Sequence, residues 1–177
     1  MAALMLAAAG VTACSETDAY DVYEDYSEWR GENDTWLSEQ ESLLDKDGKP
    51  FYSRLSPVWA PNEYVLIHWF NDRDETEGNL SPMLTSWVTT KYNLYLCDDT
   101  RVDTSENQEN GEFTAQLSTM ISGWKIAMMN MHVGDTVQLV VPYASAYGIS
   151  STPSIPPFSV LRFNVRLADI PAYEVRP

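Results

Sequence analysis

At 177 residues the chain has the size of one globular domain with extensions, and 44% hydrophobic with 12% aromatic content suffices for a packed core. A net charge of −15 repels phosphate backbones, which excludes nucleic acid as an expected partner. Twelve acids stand against two bases between Ser15 and Asp47, so −10 of the −15 falls on that stretch, the composition of a solvated tether.

The chain opens with a run of small apolar residues, Ala2 to Ala13. At about a dozen residues it is too short to cross a bilayer and has the length of a signal-peptide core. It ends in Val11-Thr12-Ala13-Cys14, which resembles a bacterial lipobox, although no Lys or Arg precedes the run. The resemblance implies that residues 1–14 are a lipoprotein signal peptide. Cys14 would then be lipidated and would hold the chain to a membrane of the bacterial cell envelope, on the periplasmic or the surface face of the outer membrane. Cys97 reads as a small hydrophobe in a strand, and two cysteines make no disulfide framework.

Residues 15–25 read as an acidic linker. Residues 26–50 hold an accessory helix: Trp29, Trp36-Leu37 and Leu43-Leu44 recur at helical spacing from Tyr26 to Leu44, and Asp47-Gly48-Lys49-Pro50 stops it. The remainder, residues 51–177, reads as one domain rich in β structure. Val65 to Phe70 is a strand, and Asn71 to Asn79 an acidic hairpin loop. Trp87 to Leu96 is a strand dense in β-branched and aromatic residues. Asp98 to Gly111 reads as a long surface loop, and Phe113 to Leu117 as a short strand.

From Met120 to Ile170 there are only five formal charges (Lys125, Asp135, Arg162, Arg166 and Asp169), so this stretch supplies most of the core. It reads as an apolar helix over Met120–Met131, a turn at Val133-Gly134-Asp135, a strand over Val137–Val141, an aromatic loop with Ala146-Tyr147-Gly148, a proline-rich turn and a final strand. No internal repeat and no Gly-rich phosphate cradle occurs. The two histidines, His68 and His132, have no carboxylate or thiol at ligand spacing, so no metal is expected. Nothing flanking them resembles a nucleophile elbow, so hydrolysis is not expected either.

Several short patterns in this stretch occur in a fixed order: Ile121-Ser122-Gly123-Trp124, Met131-His132-Val133-Gly134-Asp135, Val141-Pro142, Ala146-Tyr147-Gly148, Ile155-Pro156-Pro157 and Leu161 to Leu167. With Tyr92 and Asp99 to Ser105 upstream, they resemble the FKBP-type peptidyl-prolyl cis–trans isomerases. The resemblance implies an α+β fold for residues 51–177: a curved antiparallel sheet of five or six strands wrapped over the Met120 helix. The accessory helix packs beside it, and the gap between helix and sheet is the pocket.

The implied chemistry needs no cofactor, nucleophile or metal, because only an amide bond rotates. By resemblance, Trp124 is the pocket floor and Tyr92, Ile121, Tyr147, Ile155 and Phe163 are its walls. The N–H of Ile121 and the hydroxyl of Tyr147 donate to substrate carbonyls, and Asp103 sits at the rim, hydrogen-bonded near Tyr92. Val102, Phe113, Met120 and Ile155 belong to the substrate-binding surface. The sequence departs from the family pattern at three places. Val102 stands where a pocket Phe is usual, Gly111 where a second wall aromatic is usual, and the loop from Gly148 to Ile155 is one residue short, with its usual His replaced near Thr152. The implied function is isomerisation of X–Pro bonds in exported proteins, with proline-containing polypeptides as substrates and macrolides as implied inhibitors. The alternative is a module that holds proline-containing segments with little or no turnover.

Overall fold

Alternating apolar residues along a strand bury one face, and several of these strands do so twice over, because the sheet is covered on both sides. In the computed structural model, which describes residues 16–174, the elements run in this order. Two helices come first, α1 (Glu16–Asp25) and α2 (Ser27–Ser42), followed by strands β1 (Ser53–Leu55), β2 (Val65–Trp69) and β3 (Trp87–Tyr95). Next come β4 (Arg101–Thr104), β5 (Phe113–Gln116), α3 (Ser122–Met128), β6 (Thr136–Val141) and β7 (Leu161–Ala172). The strands form one seven-stranded sheet in the order β1-β2-β6-β7-β3-β4, with β5 paired to the other half of β3. Every pairing is antiparallel.

One face of the curved sheet carries α3. Five of its seven residues are buried, and Trp124, Ile126 and Met128 share a core with Ile67, Leu139, Val141 and Phe163. Gly123 lets the helix lie against β6: a Cβ there would run into the Val141 side chain. Leu66 and Val140 point to the opposite face, where Tyr52 and Val160 join them and Trp36 and Leu37 of α2 give cover. The turn before β6 is held by the fully buried Asp135. Its carboxylate accepts from Thr76 Oγ1 at 2.6 Å, Asn71 Nδ2 at 2.9 Å and the His132 N–H at 2.8 Å. Gly134 follows the turn path with φ of +103°, a conformation open to glycine.

The α+β architecture, the curved antiparallel sheet over a short helix and the N-terminal helix are as expected. Four elements differ from the sequence reading. The sheet has seven strands, not five or six. Asn71 to Asn79 closes no hairpin, since β6 and β7 lie between β2 and β3. The stretch from Asp98 to Gly111 contains strand β4, which pairs with Asn93 to Tyr95. Glu16–Asp25, expected as a linker, is helical. The lipobox and Cys14 lie outside the described residues.

Candidate functional site

Four strands and one helix converge on the concave face. In β3, a period of two puts Tyr92 and Leu94 on the same side. The register aligns Leu94 with both Asp103 of β4 and Phe163 of β7, and Thr90 with Phe113 of β5. Trp124 stands on the first turn of α3, just past Ile121 at its N-cap. The four aromatic rings lock edge to face, the arrangement the ring quadrupole favours. Tyr92 lies 5.5 Å from Trp124 at 90°, 5.8 Å from Phe113 at 89° and 6.2 Å from Phe163 at 64°. Trp124 and Phe163 are 5.4 Å apart at 75°.

Between them opens a cavity of about 280 Å³. Of the ten side chains singled out for catalysis or substrate binding, eight line it: Tyr92, Asp103, Phe113, Met120, Ile121, Trp124, Tyr147 and Phe163. Val102 and Ile155 do not, and pack into the core instead. The gap expected at Gly111 is filled by Phe113, whose ring packs on both Tyr92 and Trp124. Leu94 and Thr119 complete the lining and were missed. Strand alternation from Tyr92 would have found Leu94; nothing in the sequence marks Thr119. A larger but shallow hollow of about 490 Å³ lies between α2 and Cys97-Asp98, rimmed by Glu32 and Glu39. It has no comparable aromatic cage.

The polar groups sit at the rim. The Tyr92 hydroxyl donates to Asp103 Oδ2 at 2.6 Å, and the other carboxylate oxygen accepts from the Thr104 N–H at 2.8 Å. Burial of the Tyr92 phenol, then its bond to Asp103 and that carboxylate's charge, push its pKa well above the ordinary value. The Tyr147 phenol is raised too, by burial first and the Asp103 charge second. Both hydroxyls therefore keep their protons and remain donors. Among the described residues, neither the Tyr147 hydroxyl nor the Ile121 N–H donates a hydrogen bond. Tyr147 is 41% exposed and stands in the connection from β6 to β7. Among the described residues no three of His, Cys, Asp and Glu come together as metal ligands do.

Residues 78–168, just over half of the chain, match the model of the FKBP-type peptidyl-prolyl cis-trans isomerase family. The chain belongs to this family. Among curated FKBP relatives it is 34% identical over 91 residues to the isomerase FkpA of Escherichia coli, which is 51% of this chain and 33% of that one. It is 35% identical over 89 residues to "FK506-binding protein 5" of Rhizopus delemar, 49% of this chain and 23% of that one. The chain thus spans no more than about a third of these relatives' length. The crystal structure of FkpA from Escherichia coli superposes with a TM-score of 0.65 at 19% identity, over 90% of this chain and 74% of that one. A peptidyl-prolyl isomerase structure from Pseudomonas syringae gives 0.60 at 24% identity, over 79% of this chain and 93% of that one. At those identities the likeness is one of fold.

Proposed function

We propose that this chain catalyses cis–trans isomerisation of X–Pro peptide bonds in polypeptide substrates. The observation that carries the reading is an aromatic cavity, floored by Trp124, whose rim presents two unengaged donors, the Ile121 N–H and the Tyr147 hydroxyl. Rotation about a proline amide faces a barrier of roughly 18–20 kcal/mol, because resonance is lost when the bond twists. A proline ring seated among Tyr92, Phe113, Trp124 and Phe163 leaves water behind, and the planar, polar amide loses more solvation than the twisted one. Donors at the rim then hold the flanking carbonyls in the geometry of the twisted state. No bond is made or broken in the process. The Asp103 carboxylate fixes the Tyr92 hydroxyl at one wall and leaves Tyr147 as the free phenol.

Purified protein should accelerate cis-to-trans relaxation of X–Pro peptides. Tyr147→Phe should lower kcat/KM by about tenfold, the worth of one hydrogen bond made in the twisted state, and Trp124→Ala by more. No acceleration across several residues before proline would overturn the reading. Val102 packs into the core and does not line the cavity, which favours a second reading as a module that holds proline segments. Peptide binding without acceleration would select it. The same cavity is proposed to take macrolides, in keeping with the FK506-binding name of one relative.

We further propose that the protein acts on exported polypeptides while anchored through a lipidated Cys14 in a bacterial envelope. The lipobox-like Val11 to Cys14 supports this, and no helix among the described residues is long and apolar enough to cross a membrane. Cys14→Ala should shift the protein from the membrane to the soluble fraction; unchanged fractionation would refute the anchor.

A further inference from the structure

Helix α2 faces solvent along most of its length, yet it buries one polar residue completely, Asn33. Such burial is costly unless the amide is bonded, and both of its ends are. Asn33 Oδ1 accepts from the Val160 N–H at 2.7 Å, and Nδ2 donates to the Trp29 carbonyl at 2.8 Å. One turn earlier the Trp29 indole N–H donates to Ser159 Oγ at 3.1 Å. The Ser159 hydroxyl donates onward to the Pro156 carbonyl at 2.8 Å. Two side chains of one helix thus grip consecutive residues just ahead of β7.

The residue before them, Phe158, is wholly buried and has φ of +60°. This is the left-handed region, which a bulky side chain occupies only where its surroundings over-determine it. Here they do. Its ring packs 4.8 Å from that of Tyr23 on α1 and 5.6 Å from that of Tyr143, with the Arg30 guanidinium of α2 5.6 Å from its centre. Its N–H donates to the Gly148 carbonyl at 2.9 Å.

That last bond reaches the neighbour of Tyr147. The Gly148 N–H donates back to the Tyr143 carbonyl at 2.8 Å, and the Ser150 N–H to the Tyr147 carbonyl at 3.1 Å. The connection from β6 to β7 is thereby tied across itself. Tyr147 lies on the cavity side of the tie and Phe158 on the side of the N-terminal helices. We infer that Trp29, Asn33 and Phe158 are positioning residues, through which α1 and α2 clamp the loop from behind and hold the Tyr147 hydroxyl at the cavity. None of the three lines the cavity, and α1 and α2 lie outside the residues that match the family model. The inference rests on the proposed role of Tyr147 as a donor.

The test uses the full chain, with Asn33→Ala removing both bonds of the amide and Trp29→Phe as a gentler variant that keeps an aromatic side chain and loses the indole N–H. Asn33→Ala should lower kcat/KM toward an X–Pro peptide by up to about tenfold, the loss expected on removing the Tyr147 hydroxyl, since a misplaced group forfeits its contribution. Trp29→Phe should lower it less. In both variants, amide exchange at Gly148, Ser150 and Phe158 should quicken. In a Tyr147→Phe background, Asn33→Ala should cost less than about twofold more, because both changes act through one hydroxyl. A full additional loss in that background, or unchanged exchange in both variants, would overturn the clamp. A wild-type chain inactive on every X–Pro peptide would refute the proposed function instead, and the exchange comparison would then decide the clamp alone.

Discussion

Tyr92 shows how one side chain serves both fold and site. Its ring is in contact with three other aromatics, and its hydroxyl reaches the exposed carboxylate of Asp103. Because folding raises the pKa of this phenol, the native state keeps a proton that the unfolded chain gives up near pH 10. The stabilisation is therefore complete below about pH 10 and fades as pH rises beyond it. Tyr92→Phe should cost about 1 kcal/mol at neutral pH, a modest figure because Asp103 is open to solvent. Urea unfolding from pH 7 to 11 should show the gap to wild type narrowing above about pH 10; a constant gap would contradict the account. Tyr64, whose phenol is pushed up to about 12 by burial and by its bond to Glu41, titrates in both proteins and cancels in the difference.

The same scale shows what the sequence could tell of the site. Tyr147 is marked by the Ala146-Tyr147-Gly148 pattern and its resemblance to the family, and it lies at the cavity where a donor is useful. Gly111 misled because counting along a motif assumes a fixed connection. Two single-turn helices, at Ser105–Asn107 and Glu109–Gly111, take up the length before β5, and Gly111 adopts φ of +69° in the turn. The aromatic wall arrives two residues later, at Phe113, which the register with Thr90 sets beside Tyr92. Thr119 touches the cavity only because a further single turn, Leu117–Thr119, precedes α3.

At the scale of elements, the contact of α3 with the sheet depends on a missing side chain. Gly123→Ala would drive a methyl into Val141, and overpacking of this kind costs about 1–3 kcal/mol. Gly31 of α2 has open space where a Cβ would stand. Gly31→Ala should therefore stabilise by up to about 1 kcal/mol through helix propensity alone. Thermal unfolding of both variants checks the contrast; equal shifts of the same sign would undo it. The long strands and α3 were legible because their apolar residues repeat with the right period over many positions. Strand β4 was not, because four residues with one apolar side chain, Val102, carry no period. The hairpin reading of Asn71 to Asn79 failed for a different reason. Turn chemistry marks where a strand ends, but β2 pairs with β1 before it and with β6, some seventy residues on, and not with the next strand.

Across the whole molecule, charge and core are kept apart. The acidic surplus sits on the N-terminal helices and the turn after them, while Met120 to Ile170 builds the apolar centre. The helices are joined to the sheet through a few specific bonds and the cover of Trp36 and Leu37, not through a broad apolar stripe. Their acidity and their docking are therefore compatible. The strand order carries one further consequence. β7, the last strand in the sequence, is the innermost one, bonded to β6 over residues 161–166 on one side and to β3 over residues 162–172 on the other. A chain emerging from the ribosome can make its helices and its first hairpin, but β3 and β6 then show open edges to any passing strand. Only when Leu161 to Ala172 has left the exit tunnel can those edges be closed. A protein proposed to speed the folding of others thus closes its own sheet only with the last of these strands to be made.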